Sequence, residues 1–334
     1  MPIDVWLNAP LAESATRAAR LRELGVDGVF TFEGAHDVFA PLTLAAAAAP
    51  GLDVMTNVAM AFPRSPVHLA HAAWDLHTLS RGRFRLGLGS QIRTHIERRY
   101  GSVWSEPVER MRDTVAAVQA ILHAWQSGER LRHEGRFWRH TLMPPQFDPG
   151  PNEYGPPPVL VGALGPRMTE MTAQVADGLL VMPFNTERHF HERTLPAVAR
   201  GRAGSERPFQ IIAEAICAMG DSAAEIDTAR RAVRNLLAFY GSTPAYRPVL
   251  EVHGWAKLQP ELNALSKQGR WQEMSGLIDD EMVDALTISG TPAECAGQIR
   301  ARYGDHIARV CCYFPGYSVR DESVAELAAL LHRD

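Results

Sequence analysis

The feature that most constrains the fold of this chain is a repeated alternation of short apolar segments with amphipathic ones. The apolar segments are typical of buried strands and start near residues 3, 27, 52, 84, 158, 178, 209 and 309. Between them, apolar residues recur at helical spacing, as at Ala15, Ala18 and Leu21 before the turn at Gly25. Strands that alternate with helices predict a parallel sheet with right-handed crossovers.

Eight strands of this kind favour a closed (β/α)8 barrel, the TIM-barrel fold, over a doubly wound open sheet. The open sheet stays as the alternative, because a pattern alone does not show closure. The alternation is interrupted at about residues 91–158, which contain a long amphipathic stretch at about 107–126 and a proline-rich loop. The length of 334 residues suits one barrel with such a loop, since a barrel takes about 250 residues. We therefore predict a single α/β domain over residues 1–334, with an insertion after the fourth strand.

The composition argues against several classes of protein. Acidic residues number 38 and basic residues 34, for a net charge of −4, whereas nucleic-acid binding needs clustered Lys and Arg. No run of about 18 apolar residues is present, and no basic segment precedes an apolar one at the N-terminus. We therefore expect no nucleic-acid partner, no membrane span and no signal peptide. The four cysteines form no C-x-x-C pair and are expected to be reduced, as in a cytoplasmic protein.

The fifth apolar segment is followed by a loop that favours phosphate binding. The loop contains Gly162, Ala163 and Gly165, and Pro166 suits the first position of a helix. The free N–H groups and the positive dipole at such a helix start attract an anion. Arg167 in the first turn adds a charged donor. The alternative is an ordinary tight loop between a strand and a helix.

Other candidate residues lie at the ends of strands. Gly87 and Gly89 close the fourth strand but lack the third glycine of a dinucleotide fingerprint, so they indicate a place where backbone passes close to a ligand or strand. His36 follows the second strand, where barrel enzymes place their chemistry, although it is equally consistent with a plain loop histidine. His68 and His71 are spaced to touch one metal, but no acidic or cysteine partner accompanies them, so we predict no metal site.

Two longer stretches then make a family resemblance specific. Residues 53–66 read DVMTNVAMAFPRSP, and residues 79–89 read LSRGRFRLGLG. Together with the segments at 181–184 and 291–294, they resemble the luciferase-like flavin and deazaflavin oxidoreductases over nearly the whole chain. The segments at 89–91, 97–101 and 165–168 resemble those members that are taken to use coenzyme F420.

The resemblance implies a single barrel, usually a homodimer, that binds a flavin or deazaflavin at its C-terminal mouth. His36 matches a histidine that handles a proton or contacts the ring. The family usually has an acidic residue next to it, where this chain has Ala35. Glu33 or Asp37 is then left to take the role of that acidic neighbour. Asn57 and Val58 match a bulge that backs the ring, often through a cis peptide bond.

The same resemblance assigns the remaining site residues. Gly89 and the loop Gly162–Arg167 match cofactor-binding positions. The glutamate that sugar-phosphate-oxidising relatives carry after the fourth-strand glycines is replaced by Gln91, which argues against that reaction. His95 is a possible substitute as proton donor or ring contact.

Three functions follow as hypotheses. The first is an F420-dependent oxidoreductase that transfers a hydride between the deazaflavin and a small organic substrate. The second is an FMN-dependent monooxygenase, and the third is a non-catalytic protein that binds a flavin or deazaflavin. Aromatic residues that line the mouth would indicate an apolar or planar substrate. The same residues are equally consistent with positions in the core. They are Trp6, Phe32, Phe39, Phe62, Trp104 and Phe184.

Overall fold

The computed structural model describes residues 1–333 and contains eight parallel strands that close on themselves. The barrel strands are β1 (Ile3–Trp6), β2 (Gly28–Thr31), β3 (Asp53–Thr56), β4 (Phe84–Gly89), β5 (Val159–Ala163), β6 (Gly178–Val181), β7 (Gln210–Met219) and β8 (Arg309–Tyr313). Pairing of β1 with β8 and of β6 with β7 completes the ring. The closed barrel is thus confirmed, and the open sheet is wrong.

Helices cover the outside of the barrel and its C-terminal end. They are α1 (Ser14–Glu23), α2 (Ala40–Ala48), α3 (Pro66–Leu79), α4 (Arg93–Arg98), α5 (Pro107–Ser127), α6 (Pro166–Val175), α7 (Glu187–His189), α8 (Leu195–Arg202), α9 (Ala223–Gly241), α10 (Arg247–Glu251), α11 (Leu258–Lys267), α12 (Trp271–Gly276), α13 (Asp280–Leu286), α14 (Pro292–Tyr303) and α15 (Asp321–Leu331). A short π-helix, Phe190–Thr194, joins α7 to α8. Among residues 1–333, no helix combines the length and the apolar character that a membrane crossing requires.

The segment between β4 and β5 is only partly irregular. Its long helix α5 packs against α3 and α6, so it takes the place of the barrel's fourth outer helix. The rest includes a two-stranded hairpin, His133–Glu134 with Arg139–His140, that is fixed to α5 by Asp113. One carboxylate oxygen of Asp113 lies 2.8 Å from His133 Nε2, and the other accepts from the Trp138 amide at 3.0 Å.

A second departure from the eight predicted strands is the short strand Ile288–Gly290, which pairs with the C-terminal part of β7. Three residues give too short an apolar run to stand out in the sequence. Its position lengthens the wall of the barrel on the side that α9 to α13 cover, and these helices share a buried apolar cluster with the barrel interior.

The N-terminal end of the barrel is closed by buried charges. Arg309 donates to both oxygens of Asp4, at 2.6 and 2.9 Å, and to Asp53 at 2.6 Å. Gly28 makes room for them, since an added Cβ would lie 2.2 Å from an Asp4 oxygen. Phe30 and other apolar side chains fill the layer above. The barrel is therefore packed from below, and open space is found at the C-terminal mouth.

Candidate functional site

The space at the mouth consists of two adjoining cavities. One, of about 290 Å³, reaches the loop after β5 and is called the loop cavity; it includes Gly162, Ala163 and Gly165 in its lining. The other, of about 340 Å³, is called the aromatic cavity and includes Phe32 and Tyr240. The two are continuous, because several residues line both: Asn57, Val58, Met60, Gln91, Ile92, Met182, Pro183, Glu214 and Tyr246.

The wall between the cavities is the segment that follows β3. The peptide bond between Asn57 and Val58 is cis, as the resemblance led us to expect. The Val58 side chain lies against two glycines: an added Cβ would be 2.3 Å from Val58 Cγ2 at Gly89 and 3.1 Å from Cγ1 at Gly162. At Gly87 an added Cβ would be 2.0 Å from a backbone oxygen of the third strand. The glycines at the end of β4 thus allow this segment to approach.

A buried carboxyl group forms the floor of both cavities. Glu214 on β7 is 5% exposed, and its Oε2 accepts a hydrogen bond of 2.9 Å from Asn57 Nδ2. Burial raises the pKa of Glu214 to about 8, against the opposing effect of that hydrogen bond. Glu214 is therefore neutral near pH 7 and can donate a proton. The only local sign of Glu214 in the sequence is that it is a lone acidic residue within an apolar strand.

The loop after β5 has the geometry expected of an anion site. Gly165 is the N-cap of α6 and Pro166 its first residue, and no side chain caps this helix. The first amide of α6 to form a hydrogen bond within the helical turn is that of Thr169, which donates to the Gly165 carbonyl. An added Cβ at Gly165 would meet no atom within 4 Å. Arg167 is exposed and lines an open groove that continues from the loop cavity.

The structure separates the two predicted catalytic histidines. His95 on α4 lines the aromatic cavity, and its buried Nδ1 has no hydrogen-bond partner within residues 1–333. Burial lowers the pKa of His95, and Arg99 lowers it further. His36 is exposed and is not among the residues that line either cavity. Its part in proton handling stays a prediction.

Glu33 lies at the rim of the aromatic cavity. Its Oε2 accepts from the Met60 amide at 2.9 Å and is paired with Arg64. Both contacts hold the carboxylate beside the bulge, whereas Asp37 is turned toward the start of α2, where it accepts from the Phe39 amide at 2.8 Å. Of the two acids that could replace the usual neighbour of His36, only Glu33 borders the cavity.

The aromatic residues named from the sequence divide into three groups. Phe62 and Phe184 are buried in the core, and the half-buried Phe39 packs against it. Phe32 lines the aromatic cavity and stacks on Trp6 with ring centroids 5.2 Å apart. Trp104 lines the groove beside Arg167. Two residues that the sequence did not single out, Tyr240 and Tyr246, complete the aromatic wall. Among residues 1–333, no group of three His, Cys, Asp or Glu side chains could hold a metal ion.

A (β/α)8 barrel with an open mouth, a bulge after β3 and an uncapped helix after β5 defines a class of ligand-binding barrel. The family model for luciferase-like monooxygenases matches residues 4–309, and the chain belongs to this family. It is 47% identical over 317 residues to an uncharacterized protein of Mycobacterium tuberculosis, covering 94% of this chain and 93% of that protein.

Two more distant proteins extend the comparison. The chain is 27% identical over 272 residues to the 5,10-methylenetetrahydromethanopterin reductase of Archaeoglobus fulgidus, covering 79% of this chain and 77% of that one. The solved structure of the coenzyme F420-dependent tetrahydromethanopterin reductase of Methanopyrus kandleri superposes with a TM-score of 0.81 at 17% identity, covering 98% and 96% of the two chains. The structural likeness confirms the fold.

Proposed function

We propose that this protein is an F420-dependent oxidoreductase that transfers a hydride between the deazaflavin and a small organic substrate. The observation that carries the proposal is that the bulge at Asn57 and Val58 and the uncapped start of α6 face one continuous cavity. Such a cavity suits a ligand with a flat ring at one end and a phosphate at the other. The F420-dependent tetrahydromethanopterin reductase of similar fold supports deazaflavin as that ligand, and the related archaeal protein is likewise a tetrahydromethanopterin reductase.

The residues present fit such a cofactor. Gly165 and Arg167 would hold its phosphate, because the free amides and dipole of α6 attract an anion, Pro166 presets the first turn, and the arginine adds a cation. Gly162 and Ala163 leave room along the loop, and the remaining proposed contacts to the ring are Glu33, Asn57, Val58 and Gly89. When bound, the deazaflavin supplies two-electron hydride chemistry, and the protein supplies orientation and electrostatics.

The proton that accompanies a hydride is assigned to residues of the chain. Glu214 holds a proton at the cavity floor, within reach of a ligand in either cavity. His95 lines the aromatic cavity, and we assign its ring to proton transfer there. A group whose pKa lies near the working pH is the most effective proton donor. We assign His36 to proton relay at the outer rim, where its exposure gives it contact with solvent.

Binding of the cofactor tests the proposal and its phosphate loop together. F420 and FMN are each titrated into wild type, Arg167→Ala and Arg132→Ala at low and high salt. Arg132 is 82% exposed and lies outside both cavities, so it controls for loss of surface charge. Arg167→Ala is expected to weaken F420 binding by about 1–3 kcal/mol, as for a hydrogen bond to a charged group. The loss is expected to be larger at low salt, where charges are less screened.

Each other outcome has a definite meaning. Tighter binding of FMN than of F420 would replace the proposal by the monooxygenase alternative. Binding of F420 without its reduction by any candidate substrate would favour a non-catalytic binding protein. Equal F420 affinities for wild type and Arg167→Ala would place the phosphate elsewhere. We also expect a homodimer from the family resemblance, which sedimentation of the purified protein measures.

A further inference from the structure

The aromatic cavity is lined by two hydrogen-bond donors that have no acceptor within residues 1–333. Asn57 occupies only Oε2 of Glu214, and within residues 1–333 Oε1 has no hydrogen-bond partner. The Tyr240 hydroxyl on α9 likewise bonds to no other group in this range, and its side chain lines the same cavity. A protonated carboxyl group and a tyrosine that face one space can both donate to a single ligand oxygen.

We propose that Glu214 and Tyr240 bind the carbonyl oxygen of an uncharged, planar conjugated carbonyl compound and stabilise the negative charge that this oxygen gains when the compound is reduced. The identification of this compound as the substrate rests on the proposed function. The existence of the donor pair does not rest on the proposed function, because both donors are side chains of this protein.

The surroundings of Glu214 keep both donors neutral. Its titratable neighbours are Tyr240 on α9 and Tyr313 and Cys311 on β8, and burial raises the pKa of all three. No cation contributes to the shift at Glu214. A carboxylate ligand would meet no buried positive charge at this floor, so a neutral carbonyl is favoured. Neutral acids of this kind are used to stabilise enolates, since they donate without bringing a charge of their own.

The walls of the aromatic cavity favour a flat molecule. Phe32 lines one side, and Phe239, Tyr240 and Tyr246 line another. The Tyr240 ring lies edge-on to Tyr246, with centroids 6.0 Å apart. The titratable groups Glu33, His95 and Arg99 also line this cavity. A volume of about 340 Å³ lies at the small end of the range for ligand pockets, which fits a compound of one or two rings.

The reaction balances with reduced deazaflavin as the two-electron donor. The β-carbon of the conjugated carbonyl gains a hydride and forms a C–H bond, the C=C π pair moves toward the carbonyl, and the oxygen becomes an enolate. Glu214 then gives its proton to the enolate oxygen and regains one from solvent. The resulting enol takes a solvent proton at its α-carbon and releases the proton on its oxygen. The substrate is reduced by two electrons, the deazaflavin is oxidised, and the saturated ketone is the product.

Binding of acetophenone to the purified protein tests the donor pair without any turnover. Acetophenone is a planar conjugated ketone that does not titrate, and ethylbenzene is its counterpart without the oxygen. We expect acetophenone to bind at least about tenfold more tightly, and its Kd to rise about tenfold from pH 7 to pH 9 as Glu214 loses its proton. Glu214→Gln keeps an acceptor for Asn57 and a donor for the ligand, so its Kd should change less than about twofold over this range.

Tyr240→Phe provides an independent measurement. It should weaken acetophenone binding about tenfold and leave the pH dependence in place, whereas Tyr154→Phe, at an exposed position outside both cavities, should change neither. The C=O stretching frequency of bound, isotope-labelled acetophenone should fall relative to its value in water and rise again in Tyr240→Phe. These two readouts remain if Glu214→Gln does not fold.

The proposal is overturned if acetophenone binds no better than ethylbenzene, if the wild-type Kd is flat from pH 7 to pH 9, or if Tyr240→Phe binds like wild type. Its failure is distinct from failure of the proposed function. Protein that binds F420 without preferring the ketone retains its cofactor assignment and loses the donor pair. Protein that binds acetophenone with the expected pH dependence but does not bind F420 keeps the donor pair and loses the cofactor.

Discussion

The neutral state of Glu214 makes a quantitative prediction for stability against pH. A carboxyl whose pKa is about 8 in the folded protein and near 4.5 when unfolded binds more protons in the folded state between these values. The free energy of unfolding therefore decreases as pH rises through this window, by up to about 1.4 kcal/mol per pH unit from this group. Below the unfolded pKa the stabilisation is fully present, and above the folded pKa it is lost.

From pH 6 to pH 8 the change integrates to about 2 kcal/mol, because the slope flattens near the folded pKa. Glu214→Gln removes the titration and keeps the acceptor for Asn57. The stability of this variant relative to wild type should therefore rise by about 2 kcal/mol across these two units. Urea unfolding of both proteins at pH 5, 6, 7, 8 and 9 measures the difference.

The control for this series is Glu206→Gln, at an exposed position, for which the difference from wild type should not change with pH. A constant difference between Glu214→Gln and wild type from pH 6 to pH 8 would refute the reasoning. It would mean that the carboxyl is already ionised in the folded protein at pH 6, and the proton assigned to the cavity floor would not exist.

Three further predictions concern the bulge, the buried charges and the rim. Gly89→Ala should lower the free energy of unfolding by about 1–3 kcal/mol, because an added Cβ would lie 2.3 Å from the bulge, whereas Gly297→Ala, at an open helical position, should not. Arg309→Leu should cost about 3–5 kcal/mol in urea unfolding, since it leaves Asp4 buried without its ion-pair partner; a loss below about 1 kcal/mol would contradict this. His36→Ala should lower kcat and leave cofactor affinity unchanged, and unchanged turnover would remove it from the reaction.

Much of the fold could be predicted from the sequence because parallel strands are buried on both faces. Their residues form nearly continuous apolar runs, as at residues 158–162, which the alternating helices separate clearly. The helix start at Pro166 could also be predicted from the sequence, because the special conformations of glycine and proline determine such loops locally. The role of α5 could not be predicted in this way. Whether this helix covers the barrel depends on its contacts with α3 and α6, which are distant from it in the sequence.

The candidate site was predicted where local chemistry determines it and missed where distant segments meet. An added Cβ would clash with Val58 at Gly89 and would fit only tightly at Gly162, and both glycines are visible in the sequence. The pairing of Asn57 with Glu214 joins residues 157 positions apart, so no local pattern reveals it. His36 lies at the strand end that the sequence indicated, but the conformation of its loop, which the sequence does not fix, leaves the side chain exposed.

The cofactor that the protein retains is the most direct test of its assignment as an F420-dependent oxidoreductase. The chain is purified from a host that makes both F420 and FMN, and the absorbance spectrum of the bound fraction is recorded before and after addition of a reductant. The account predicts a single deazaflavin band that is lost on reduction. The two-band spectrum of a flavin, or no bound chromophore even after incubation with added F420, would contradict it.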